Sequence, residues 1–286
     1  MNAPVITPPP ETMPMTDPQD VLSLVAAMRA KAEPFAVATV VRTVSLTAAK
    51  AGAKAIIRAD GTITGGWIGG GCARGAVLRT ARQVIADGEA RLVSVQPEEL
   101  LADLGIAPGD ERDGVRFAAN RCPSKGTMDV FVEAVLPRAQ LVICGATPVA
   151  KALCDLGRRM GYETVVHAPE ADLDAFAAPD RRVAGYAVDR EAAQTRFVVV
   201  ATQGAGDATA LRAALESDAG YVAFVGSRLK AAALREEMIR AGLPQAAFER
   251  LHAPAGLDIG AITPEEIAMS ILAEITVLRR RGQRAA

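Results

Sequence analysis

The sequence predicts an α/β protein in two parts: an N-terminal α+β domain, then a Rossmann-like, doubly wound parallel-sheet domain. Three observations predict it. The chain has 286 residues, enough for two ordinary domains. From Leu141 onward, short apolar runs alternate with helical stretches, which is how a parallel sheet covered on both faces reads. Before that point the strands are linked by a hairpin and a glycine-rich corner instead.

Taken in order, residues 1–17 (MNAPVITPPPETMPMTD) are proline-rich and polar and read as a disordered tail. They lack the basic start and long apolar run of a signal peptide. Residues 18–136 are expected to form the first domain. Asp17 and Pro18 open an amphipathic helix, DPQDVLSLVAAMRAKAE. FAVATVVRTV and AKAIIRADGTITGG follow as strands, with Asp60-Gly61 as a hairpin turn. A glycine run precedes the helix ARGAVLRTARQVIADG, which Gly88 ends. RLVSVQ and TMDVFVEAV are further strands.

Residues 141–286 are expected to form the second domain, with the boundary near Leu136 to Gln140. LVICG enters a helix that ends near Gly161, and ETVVH is the next strand. RFVVVATQ precedes a helix over 207–216, and GYVAFVG precedes one over 227–241. Thr263, Pro264 and Glu266 make a helix start with a capping box.

Composition narrows the function. Half of the residues are hydrophobic and 23% are charged, so real cores can be buried. Net charge is -1 and aromatics are 4%. That gives no general pull toward nucleic acid or anionic membrane, and little surface for stacking bases. No run is long and apolar enough to span a membrane. The four cysteines, Cys72, Cys122, Cys144 and Cys154, form no C-x-x-C pair. A reducing cytoplasm is the simplest setting for such thiols.

The stretch GGWIGGGCARGAV carries five glycines in its first seven residues. Gly69, Gly70 and Gly71 before a helix can form a nest of backbone N–H groups for a phosphate or other anion. Cys72 falls at the helix start, where a thiolate is favoured, and Arg74 and Arg79 add positive charge. A plain strand-to-helix corner around a structural cysteine fits the same residues. NRCPSKGT is a second thiol loop, in which Arg121 and Lys125 flank Cys122. It gains meaning only if it faces the glycine run.

In the second domain, GATPVA follows a strand like a dinucleotide fingerprint, but Thr147 replaces the middle glycine and crowds the pyrophosphate approach. His167 stands near the place of the ribose-binding acid. Cys144 and Cys154 read as core residues. Ser227 caps a helix whose first turn holds Arg228 and Lys230; basic residues there oppose the helix dipole unless an anion is bound. Asp258 lies in the glycine-containing loop before the last helix.

Together, GGWIGGGCARGAVL, CPSKGTMDVFVEAV, YVAFVGSRLKAAALREEM and APAGLDIGAITPEEIAMSILAEI resemble the XdhC/CoxI family, in matching order over nearly the whole chain after the tail. The resemblance implies an accessory protein without classical turnover. Such a protein binds molybdenum cofactor (molybdopterin), protects it during sulfuration and delivers it to an apo molybdenum hydroxylase such as xanthine or carbon monoxide dehydrogenase. It also implies a cysteine desulfurase as a further partner; a homodimer is the default oligomer. Under it, the cofactor-binding residues are Gly69, Gly70, Gly71, Cys72, Arg74, Cys122, Ser227, Arg228 and Asp258, with Cys72 at the metal. Arg74, Thr147, Pro148 and Gln203 depart from what many relatives carry, which marks a divergent branch. The competing expectation is an NAD(P)-dependent oxidoreductase built on the Rossmann pattern. Thr147 and the missing ribose acid speak against NAD(P).

Overall fold

The computed structural model describes residues 18–45, 47–123, 125–190, 195–204 and 206–280, without the side chains of residues 18–20 and 72. The expected tail and the Asp17 cap lie outside the described residues. The chain divides into two compact units between Pro137 and Arg138.

The first unit runs α1 (Pro18–Ala30), β1 (Phe35–Val44), β2 (Lys54–Arg58), β3 (Ile63–Gly66), α2 (Gly71–Asp87), β4 (Arg91–Pro97), α3 (Glu98–Asp103), β5 (Glu111–Arg112), β6 (Val115–Asn120) and β7 (Thr127–Val135). Among the described residues its strands form one seven-stranded sheet in the order β3-β2-β1-β7-β4-β6-β5. All neighbours are antiparallel except β4 and β6, which run parallel. The two-residue period of β1 sends alternate side chains to opposite faces. Ala36, Ala38 and Val40 join Val77, Ala81 and Val84 of α2 in one core. Phe35 and Val37 join Val21 and Met28 of α1 in another. Gly88, left-handed at φ 76°, ends α2, its N–H donating to the Val84 carbonyl at 2.8 Å.

The second unit runs β8 (Gln140–Cys144), α4 (Pro148–Arg159), β9 (Glu163–Ala168), β10 (Arg181–Ala184), β11 (Arg196–Val200), α5 (Asp207–Glu216), β12 (Tyr221–Phe224), α6 (Arg228–Arg240), β13 (Leu251–His252) and α7 (Pro264–Arg280). Its sheet is parallel throughout, in the order β10-β9-β8-β11-β12-β13. That is the doubly wound arrangement in which strand order reverses beside the first strand. Leu141, Ile143 and Val166 pack with Leu153 of α4 and Ile271 of α7 on one face. Val142, Val198 and Val222 pack with Leu211 of α5 and Met238 of α6 on the other. Buried on both faces, these strands need the continuous apolar runs seen in the sequence. The expected capping box forms at α7: Glu266 N–H donates to Thr263 Oγ1 at 3.3 Å, and Thr263 N–H donates to Glu266 Oε2 at 2.9 Å.

Among the described residues no helix is long and apolar enough to cross a membrane.

Candidate functional site

The glycine run is a corner between β3 and α2, and its glycines serve different ends. Gly66, at φ 81°, belongs to the sheet: a Cβ there would stand 2.0 Å from the Lys54 carbonyl oxygen. Trp67 N–H donates to that carbonyl at 2.8 Å, and Ile68, fully buried, plugs the core below. Gly69 and Gly71 also hold positive φ. Gly70 is different. Its backbone is extended, at φ -115° and ψ -177°, which any residue can adopt. A Cβ on it would meet only Trp67, at 4.0 Å, and one on Gly71 would meet nothing within 4 Å. Neither conformation nor packing requires glycine at 70, and its missing side chain leaves the space beside the start of α2 open.

Gly70 is the N-cap of α2 and has no side chain to cap it, and among the described residues no acid stands in the first turn. The first N–H groups of α2 therefore keep their donor capacity and the positive end of the helix dipole. Cys72 follows Gly71 in this first turn; its side chain, and with it the expected metal contact, lies outside the described residues. Arg74 is exposed on α2 and is not among the residues around the cavity described next.

The Cys122 loop faces this corner. A cavity of about 430 Å³ is lined by Gly69, Gly70 and Gly71 on one side and by Asn120, Arg121 and Cys122 on the other. Val95 and Met128, both buried, also line it. The volume suits a small organic ligand, for which pockets of roughly 300–1,000 Å³ are usual. The antiparallel pairings β3–β2, β2–β1 and β1–β7 put the end of β3 and the start of β7, and so the two loops, at one end of the sheet. Asn120 shapes the second loop: its Nδ2 donates to the Gly126 carbonyl at 2.6 Å, and its Oδ1 accepts from Cys122 N–H at 3.0 Å. Cys122 is left exposed.

The basic residues of this loop are partly engaged. Arg121 Nε donates to Glu98 Oε1 and Lys125 Nζ to Glu99 Oε1, each at 2.7 Å. The bond from Lys125 holds the Glu99 carboxyl below its usual range. Both thus turn toward α3, and Arg121 also lines the cavity. Among the described residues, no group of three or more His, Cys, Asp or Glu is placed to hold a metal ion.

In the second unit, Ser227 is the N-cap of α6 and accepts from Lys230 N–H at 3.3 Å. The basic first turn is balanced from within the unit: Lys230 Nζ forms an ion pair with the buried Asp207 carboxylate. Burial pushes that carboxyl upward, but Lys230, Thr202 and the Gly204 N–H outweigh it and hold it below the ordinary range. Arg228 is exposed, as is Asp258. The loop holding Asp258 is anchored by a residue the sequence did not single out. Glu274 accepts from Tyr221 Oη at 2.7 Å and from Gly256 N–H at 3.0 Å, and lies 2.8 Å from His252 Nδ1. Glu274 sits among the apolar positions Ile267, Ile271 and Leu278 of α7, and that break in an apolar stripe was the available signal.

At the fingerprint turn, Thr147 caps α4. Its Oγ1 accepts from Ala150 N–H at 3.2 Å and donates to the Ala201 carbonyl at 2.9 Å. The hydroxyl thus sits where a pyrophosphate oxygen would need the N–H groups. His167 is buried beside Val142, Val165 and Asp189 around a cavity of only about 70 Å³. Burial lowers its pKa to about 4, so it is neutral at pH 7. Cys144 and Cys154 are core residues, and burial pushes the Cys144 thiol up to about 12.

Two family models match the chain: the XdhC Rossmann domain over residues 141–275, and the XdhC and CoxI family over residues 28–96. The uncharacterized protein YqeB of Escherichia coli (strain K12) is 28% identical over 257 residues, which is 87% of this chain and 44% of that protein. A probable xanthine dehydrogenase subunit of Bacillus subtilis (strain 168) is 29% identical over 168 residues, 54% of this chain and 47% of that protein. The chain thus spans less than half the length of the curated relatives it matches. A crystal structure described as a xanthine dehydrogenase from Bacillus halodurans aligns with 95% of this chain and 98% of its own, at 19% identity and a TM-score of 0.45.

Proposed function

Because the chain belongs to the XdhC and CoxI family, we propose that it is an accessory protein for a molybdenum-containing hydroxylase of the xanthine dehydrogenase kind, and that it holds molybdenum cofactor for delivery to the apoenzyme. The observation that carries this reading is the cavity that unites the glycine corner with Cys122. When bound, the cofactor supplies a thiophilic metal and a phosphate ester. The donors fit both ends. The uncapped N–H groups at the start of α2 receive an anion. The Cys122 thiol is a soft ligand of the kind such a metal prefers. Cys72 joins this reading through its backbone place in the first helical turn. Val95 and Met128 give the cavity an apolar side that keeps water from a bound ring system.

The test is copurification from a host that makes molybdopterin, with the pterin measured as its oxidised fluorescent derivative. Wild-type protein is expected to carry pterin. Cys122→Ser and Cys72→Ser are each expected to carry several-fold less at an unchanged melting temperature, since serine keeps the size and loses the soft thiolate. Wild-type protein free of pterin would overturn the reading. Full retention by a serine variant would remove that sulfur from the site.

The oxidoreductase alternative needs a dinucleotide in the second unit, and Thr147 occupies the helix start that would receive it. We expect titration calorimetry with NAD+, NADH, NADP+ and NADPH to give no micromolar binding. Such binding of any one of them would restore the alternative.

A further inference from the structure

Beside the first cavity lies a second, of about 510 Å³, between the middle of α2 and β6. Arg121 lines both. The other charged residues lining the second are Arg79 and Arg116, and no Asp or Glu lines it. Arg116 Nη1 donates to the neutral amide oxygen of Gln83, and Glu111, its cross-strand neighbour on β5, makes no ion pair with it among the described residues. Arg79 is exposed and has no hydrogen-bond or ion-pair partner among the described residues. Like charges gathered on one concave wall repel one another, and a bound anion removes that penalty.

Gly75 supplies an independent sign. It lies within α2, where glycine weakens a helix relative to alanine. Its φ is not in the left-handed region, and a Cβ there would meet only Arg79 Nη1, at an ordinary 3.6 Å. Neither the backbone nor the packing requires glycine. Its missing side chain opens the wall of the arginine-lined cavity, as that of Gly70 opens the first.

We propose that the second cavity is an oxyanion site for a phosphate or pyrophosphate group. Guanidinium forks match phosphate oxygens bidentately; Arg79 and Arg116, with Arg121 held by Glu98 at the rim, suit a multiply charged group better than a carboxylate. The group is either the phosphate of the ligand in the first cavity, held here instead of at the start of α2, or part of a separate phosphate compound. The oxyanion site does not rest on the cofactor reading, because its charges and its open wall are independent of the thiols.

The test is calorimetric titration of the full chain with inorganic pyrophosphate at low salt. Wild-type protein is expected to bind it, with affinity falling as salt rises. The double variant Arg79→Gln/Arg116→Gln should bind at least tenfold more weakly. Gly75→Leu, which fills the wall and favours the helix, should lose binding without a lower melting temperature. Binding of pyrophosphate only to pterin-free protein would assign the site to the tail of the same ligand; equal binding to pterin-loaded protein would assign it to a separate compound. No binding by wild type, or equal binding by wild type and the double variant, would overturn the proposal. Wild-type protein that never acquires pterin from a molybdopterin-producing host, yet binds pyrophosphate through its arginines, would refute the cofactor reading alone.

Discussion

Gly70→Asp is expected to make the protein slightly more stable and to strip it of pterin. The backbone at 70 already has the extended conformation that an N-cap residue needs. An aspartate there would accept from the free N–H groups of the first turn of α2 and place its negative charge at the positive end of the helix dipole. Replacing Gly by Asp at such a position is worth about 0.5 kcal/mol to the helix. Packing does not resist the change, since the new Cβ would meet only Trp67, at 4.0 Å. The same carboxylate would occupy the donors that an anionic ligand requires and would repel it. A loss of at least tenfold in retained pterin is expected, with a melting temperature equal to or above that of wild type. A stabilised variant with its pterin intact would show that the start of α2 is not the anion-binding end of the site.

The two cavities show how far sequence reasoning reaches. The glycine corner was legible because consecutive glycines weaken any helix or strand they enter, so a run of them marks backbone held for a turn or a ligand. The Cys122 loop stood out as a thiol between basic residues. What leads into that loop is β6, and VRFAAN carried no strand signal. Its residues are all half-buried, because it sits near the sheet edge with only two-residue β5 beyond it. Without alternation there is no period-2 pattern to read. Arg116, on β6, was missed with it. The parallel pairing of β6 with β4 is a long-range contact, invisible to any local window.

In the second unit the strands were legible for the opposite reason, since LVIC, TVVH, FVVV and YVAF are buried on both faces. The short edge strands β10 and β13 were not, being four and two residues long. Arg228 and Lys230 raised a phosphate expectation; the structure pairs Lys230 within the unit and leaves Arg228 exposed. The partner of Lys230 is Asp207, on a different helix, and no local reading of the α6 start could supply it. Thr147 was read from the sequence as an obstacle to pyrophosphate; its role as a helix cap also engages the Ala201 carbonyl, which belongs to the segment after β11 and lies outside any local window.

Gly145→Ala is expected to cost the second unit roughly 3–5 kcal/mol, a large part of an ordinary domain's stability. Gly145 leaves β8 at φ 117°, which alanine tolerates poorly. Its Cβ would stand 2.3 Å from the Ala201 carbonyl oxygen and 2.9 Å from Thr202 Cα. Both are backbone atoms and cannot rotate away. The turn cannot drift either: Gly145 N–H donates to the His167 carbonyl, and Ala201 N–H to the Cys144 carbonyl, each at 2.8 Å. Gly204 is the matched control, at φ 111° with nothing within 4 Å of its would-be Cβ. Gly204→Ala should therefore show only the backbone term, about 1 kcal/mol. The chain carries its own reporters. All three tyrosines, Tyr162, Tyr186 and Tyr221, lie in the second unit, and the single tryptophan, Trp67, lies in the first. Urea unfolding followed by tyrosine absorbance should move to clearly lower urea in Gly145→Ala, with Trp67 fluorescence marking the transition of the first unit. This result would make Gly145 a requirement of the strand-to-strand approach, so that a glycine at the head of the fingerprint says nothing about a dinucleotide. An unmoved tyrosine transition would mean that the turn yields to a side chain, and a ligand would then be the reason for the glycine after all.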